Sequence, residues 1–192
     1  MDEDEKKLKE EFIDNVFFTN AWRDTSQHVK IFIDESDDFK KEFKEYLKTK
    51  CLELVKNYRE KGLDSDEHLA KLDELYNAVQ DQYGRDVSFS FGRTQKLVNV
   101  LLKYYWCNKM LNDHTPAHLP FDSIILKQLK AQLKNKGITW NPDFTWTNME
   151  KKDYIECIAQ VEKVRGDKTF SYWELSTYND ASKQKKSINL IK

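Results

Sequence analysis

The sequence predicts a mainly α protein with a single core, about six or seven helices packed around one buried central helix. Three observations predict it. Only 5 Gly and 3 Pro occur in 192 residues, too few to punctuate an all-β chain, while Lys, Glu, Leu and Asp are plentiful. Apolar residues recur at helical spacing in one segment after another. With 39% hydrophobic and 13% aromatic residues the chain can bury a core, so its 34% charged residues read as solvated helix faces and not as disorder. The length fits one domain over residues 1–192.

Leu8, Phe12, Ile13, Val16 and Phe17 share one face of a first helix over residues 2–18, with acid and lysine opposite. Residues 29–33, Val-Lys-Ile-Phe-Ile, are β-branched but short, and read as a buried connector. Ser36 or Asp37 caps a long second helix to about Lys61, with Phe39, Phe43, Leu47, Cys51, Leu54, Val55 and Tyr58 inward and Gly62 as its stop. A third helix opens at Ser65 and runs through Leu72, Leu75 and Val79 to near Gly84. Ser88 to Gly92 alternates polar and aromatic residues, then leads into the most apolar helix of the chain, about Arg93 to Leu111. Beyond the loop Asn112 to Pro120, a fifth helix spans about Phe121 to Lys136, with Ile124, Ile125, Leu129 and Leu133 inward. A sixth covers Glu150 to Val164. A short last helix, Tyr172 to Tyr178, precedes a frayed Lys183-Gln184-Lys185-Lys186.

The net charge of −1 conceals two opposite halves. Residues 1–84 hold 14 basic and 22 acidic side chains, a net −8, whereas residues 85–192 hold 18 and 11, a net +7. Either the acidic half and the basic half pack face to face, or the second meets a polyanion. The acidic start MDEDEKKLKE lacks the features of a signal peptide, and no apolar run reaches the ~18–20 residues of a membrane span. Three well-separated cysteines, Cys51, Cys107 and Cys157, lie among apolar helical neighbours as reduced core residues. A soluble, cytoplasmic protein with no membrane partner is expected.

The chemistry concentrates after residue 90. Lys96, Asn99 and Lys103 form one stripe by their i, i+3, i+7 spacing. Such a stripe on an apolar helix either faces solvent or lines a cleft, where a partly desolvated Lys96 serves as nucleophile or phosphate contact. Asp122 stands in the first turn of the fifth helix, where a carboxylate caps free amides; in a cleft it also acts as a base or steadies a cation. A hairpin of the two helices brings Lys96 and Asp122 together. Cys107, Asp113, His114 and His118 are metal-ligand types, but their spacing matches no metal motif, so neither metal nor cofactor is expected. Trp140, Phe144, Trp146, Tyr172 and Trp173 offer stacking surfaces for single strands, and residues 85–136 carry 9 basic against 3 acidic side chains.

The run F-G-x-x-Q-K-x-x-N-x-x-L-K-Y-x-W from Phe91 to Trp106, then H-x-P-F-D-S-x-I from His118 to Ile125, then Trp146-Thr147 and Tyr154, resembles a family of uncharacterised bacterial helical proteins. It covers roughly residues 88–160 and implies a shared helical fold without a reaction. More distantly, a lysine on a helix, a loop, and Pro-x-Asp opening another helix is similar to the helix-hairpin-helix DNA glycosylases, particularly the archaeal 8-oxoguanine type. That similarity implies Lys96 as Schiff-base nucleophile and Asp122 as the assisting carboxylate. The chain departs from it in lacking a Gly-rich hairpin before Lys96 and in its acidic first half. Arg23 to His28 also has the form of the Arg-polar-x-x-x-His signature of HEPN ribonucleases, at a place where that family does not carry it.

Arg93, Gln95, Asn99, Lys103, His118 and Trp146 are the candidate binding residues around Lys96 and Asp122. Two functions follow: a nucleic-acid-associated protein acting on DNA or RNA, as a divergent glycosylase-like enzyme, or a non-enzymatic protein-interaction module. A continuous basic groove reaching Lys96 favours the first. A basic half buried against the acidic half favours the second.

Overall fold

The computed structural model describes residues 2–27, 30–33 and 36–189, with side chains to residue 183. His28 of the HEPN-like signature and Val29 of the connector lie outside the described residues.

Seven helices run α1 (Glu3–Ser26), α2 (Asp37–Lys61), α3 (Ser65–Tyr83), α4 (Phe91–Cys107), α5 (Ser123–Asn135), α6 (Lys151–Arg165) and α7 (Phe170–Asn189). Local chemistry sets their ends. The Ser36 hydroxyl accepts the Phe39 amide at the start of α2, and Gly62, at φ 66°, closes that helix by donating its amide to Tyr58. Asp64, not Ser65, caps α3, through a reciprocal capping box with Glu67. Between α1 and α2 the connector pairs with the segment before α4: Phe32 bridges Val87, and the Ser88 amide donates to Ile31 at 2.7 Å. Among the described residues this is one antiparallel bridge and not a strand.

α4 is the axis of the fold, since 13 of its 17 residues are buried. It packs on α1, α2 and α3 at one side and reaches α6 at the other, while α5, α6 and α7 pack on one another. One contiguous core results, from Phe43, Leu47 and Leu72 through Leu97 and Leu101 to Leu129, Tyr154 and Val161. The acidic and basic halves are therefore joined by apolar packing. Lys151–Asp73, at 2.8 Å, is the only ion pair between them among the described residues, so charge complementarity does not hold the halves together.

Five expectations need correction. α4 begins at Phe91 and ends at Cys107, four residues short of Leu111, because Asn108 leaves helical geometry and Lys109 turns to φ 58°. α1 extends well past residue 18, and Leu8 (66% exposed), Phe12 (68%) and Val16 (38%) stay in solvent because no helix covers its first half; only from Phe17 onward does α1 enter the core. Ile124 also points outward, at 37% exposure. α7 is a 20-residue helix, because Trp173, Glu174 and Thr177 form a buried face that the apolar pattern alone does not display. Cys107 is exposed at the end of α4, whereas Cys51 and Cys157 are in the core. No helix among the described residues is long and apolar enough to cross a membrane.

Candidate functional site

A cleft of about 660 Å³ opens between the α1/α4 layer and the α5/α7 layer. α4 supplies Lys96, Lys103 and Tyr104; α1 supplies Asp24; the start of α5 supplies Asp122, Ser123 and Ile124; α7 supplies Glu174 and Tyr178; Trp146 closes one side.

Trp146 stands there because of what precedes it on α4. The Gly92 amide donates to Met149 at 3.0 Å and the Ser90 hydroxyl to Thr147 at 2.7 Å, so the loop lies directly on the helix N-terminus. Lys96 lies against the indole, its Nζ 4.0 Å from the ring centre, and Arg93 stands 5.9 Å from the same ring. Lys96 is only 8% exposed and forms no ion pair among the described residues. Burial holds its pKa below the usual lysine value, against the opposing fields of Asp122 and Asp24.

Asp122 commits one of its two oxygens to the helix. Oδ1 accepts the amides of Ile124 and Ile125 at 2.9 Å and caps α5, leaving Oδ2 uncommitted at the cleft wall. Its position is fixed from α4 by Gln95, whose amide grips the preceding residue twice: Nε2 donates to the Phe121 carbonyl at 2.9 Å and Oε1 accepts the Phe121 amide at 3.1 Å. Asn99 donates to the Leu119 carbonyl at 3.1 Å. The polar stripe is thus divided: Lys96 and Lys103 reach the cleft, while Asn99 is buried and, with its neighbour Gln95, holds the loop that delivers Asp122.

On the far wall Lys103 pairs with Glu174 at 3.0 Å and stands 5.2 Å from the Tyr178 ring. Glu174 is 1% exposed and its Oε2 has no partner among the described residues. Burial raises its pKa despite Lys103. Glu174 and Tyr178 carry no motif in the sequence, and only the packing of α7 brings them in; Asp24 comes in with α1.

Four expected binding residues do not line the cleft: Gln95 and Asn99, buried behind the loop they hold, and Arg93 and His118. Arg93 is 2% exposed and donates to the Thr25 carbonyl at 3.1 Å, inside the α1–α4 contact. His118 is enclosed with His68, their rings 4.7 Å apart. The Tyr154 hydroxyl accepts from Asn99 and donates to His118 Nδ1 at 3.0 Å, so the other His118 nitrogen donates to Ser65 at 2.7 Å. Tyr58 likewise accepts the Ala117 amide and donates to His68 Nδ1 at 2.7 Å. That leaves His68 Nε2 and Asn99 Oδ1 both buried and without a well-aligned partner, although Asn99 steadies the charged form of His68. Desolvation keeps both rings neutral, with His118 pushed down to about 4 and His68 well below its usual value. Among the described residues no three His, Cys, Asp or Glu stand close enough to hold a metal ion.

Of the five stacking candidates only Trp146 lines the cleft. Trp140 and Trp173 are core residues whose indole N–H groups are bound by Glu156 and Gln132. Comparison with family models, curated proteins and solved structures finds no match for this chain, so the chemistry of the cleft rests on its own geometry.

Proposed function

We propose that the protein is a lysine-nucleophile enzyme that cleaves the glycosidic bond of a nucleotide drawn from DNA into the cleft. The single observation carrying this reading is the Lys96 amine, desolvated, free of any ion pair among the described residues and set beside the open cleft with Asp122 on the facing wall. A lysine kept only for stability is ordinarily held by a carboxylate or left in water; Lys96 is in neither place and has the Trp146 face as its partner.

In the proposed step the lone pair of neutral Lys96 Nζ attacks the sugar C1′. The glycosidic bond breaks, its electron pair leaves with the base, and the base takes up a proton from water. Asp122 Oδ2 receives the proton shed by Nζ and passes it to O4′ as the sugar ring opens, and the carboxylate so restored steadies the cationic imine. Water then adds to the imine and releases an aldehyde and the free amine. Trp146, Tyr104 and Tyr178 offer rings for the flipped base, and the unpartnered Glu174 Oε2 offers an acceptor for its N–H edge.

Borohydride tests the reading, because hydride adds to the imine and makes the link permanent. Oligonucleotides carrying an abasic site or 8-oxoguanine should give a covalent band with the wild-type protein and none with Lys96→Ala. No band with any lesion removes the enzyme.

The exposed Leu8, Phe12 and Val16, at i, i+4, i+8 on α1, favour a second reading, a protein-interaction module. On that reading a Phe12→Glu variant loses the module's partner while trapping by Lys96 is absent.

A further inference from the structure

The lysines of the first half are largely spoken for. Lys40, Lys48, Lys50, Lys56, Lys61 and Lys71 each meet a carboxylate in α2 or α3. α5, Ser-Ile-Ile-Leu-Lys-Gln-Leu-Lys-Ala-Gln-Leu-Lys-Asn, contains no acidic residue at all. Its Lys127, Lys130 and Lys134 are exposed, and none forms an ion pair among the described residues.

These three are not scattered around the helix. At ~100° per residue, positions 123, 127, 130 and 134 fall on one face, opposite the buried Ile125, Leu129 and Leu133. The first of the four, Ser123, lines the cleft. The wall that carries Asp122 therefore continues out of the cleft mouth as an uninterrupted row of ammonium groups. Lys127 to Lys134 spans about 10 Å of axis at ~1.5 Å per residue, the length of three phosphates at ~3.4 Å per nucleotide of one strand. The negative end of the helix accounts for Lys134 in the last turn but not for Lys127 or Lys130, neither of which meets a carboxylate among the described residues.

We infer that the α5 lysine face is a phosphate rail that holds one strand of DNA beside the cleft, so that the nucleotide next to the held stretch enters toward Lys96. The cleft itself is not a basic groove, since Asp24, Asp122 and Glu174 offset its two lysines; backbone affinity must then come from outside it, and the α5 face is contiguous with its mouth. This rests on the glycosylase-like reading for the identity of the strand.

The test is the salt dependence of binding to a fluorescein-labelled duplex containing an abasic site, measured by anisotropy from about 50 to 200 mM salt. Full-length Lys127→Gln/Lys130→Gln/Lys134→Gln should flatten the slope of log K against log salt by about 2–3, at roughly 0.9 for each phosphate that the variant no longer neutralises. Lys50→Gln/Lys56→Gln/Lys61→Gln, which removes the same charge from paired positions, should leave the slope unchanged, and circular dichroism should show both variants folded. An unchanged slope in the α5 variant, an equal loss in the control, or no oligonucleotide binding by the wild type overturns the rail. Polyglutamate binding with the same loss in the α5 variant, in place of the oligonucleotide, overturns the assignment to nucleic acid. Borohydride trapping by the wild-type protein, read beside the titration of the α5 variant, separates the two proposals. A flattened slope without any trapping keeps the rail and sinks the nucleophile, whereas trapping with an unchanged slope does the reverse.

Discussion

At the scale of single residues, Gly92 has no room for a side chain. A Cβ there would stand 1.9 Å from the Trp146 carbonyl oxygen and 2.9 Å from the Met149 Cβ, and the backbone atom cannot swing aside. Gly92→Ala must push the Trp146 loop off α4, and we expect a loss of about 1–3 kcal/mol in denaturant unfolding. An unaltered midpoint would show that the loop is not seated as described. Asp122 allows capping and charge to be separated, because asparagine caps helices as well as aspartate does but carries no charge. Asp122→Asn should keep the melting temperature while weakening borohydride trapping; Asp122→Ala should weaken trapping and also cost about 0.5–2 kcal/mol of stability. Trapping undiminished in both variants would leave Asp122 as a cap alone.

At the scale of elements, α4 carries the fold, and Leu101, 1% exposed, is the measure of it. Leu101→Ala should cost about 2–5 kcal/mol, read by calorimetry, and an unchanged melting temperature would contradict the central position of this helix. α2, α3, α4 and the Asp122 cap were legible because each rests on a signal within one or two turns: a capping residue, a glycine stop, an apolar face. Spacing says which residues share a face, however, and not whether anything covers it. Leu8, Phe12 and Val16 have the period of a core face yet stay exposed, while Gln95 and Asn99 read as residues of a binding cleft and are buried. Their partners, Phe121, Leu119 and Tyr154, lie 20 to 55 positions away in sequence, so no local pattern announces them. For the same reason Lys96 and Asp122 were visible as a motif, and Glu174 and Tyr178 were not.

At the scale of the whole molecule, the enclosed histidines tie stability to pH. In the unfolded chain each histidine titrates near pH 6.5, but in the fold burial holds His118 neutral down to about 4 and holds His68 well below its usual value. Between those values the unfolded state binds protons that the native state refuses. Stability is therefore undiminished by these groups above about pH 6.5 and falls as the pH drops below it, by up to about 1.4 kcal/mol per pH unit for each histidine. Melting temperatures followed from pH 7.5 to 5 should decline in the wild type and decline less steeply in His118→Gln, which does not titrate there. Equal slopes would mean that other groups govern the acid limb. The distribution of sulfur gives the molecule a different property. Burial raises the Cys51 thiol to about 12 and that of Cys157 further, whereas Cys107 is exposed on the rim of the cleft. The native protein thus comes with one addressable attachment point, and it sits at the entrance. A maleimide dye should label one thiol per folded chain and three after denaturation, and its colour or anisotropy at Cys107 should change whenever something occupies the cleft. Substrates can therefore be screened on the unmutated protein before any reaction is known.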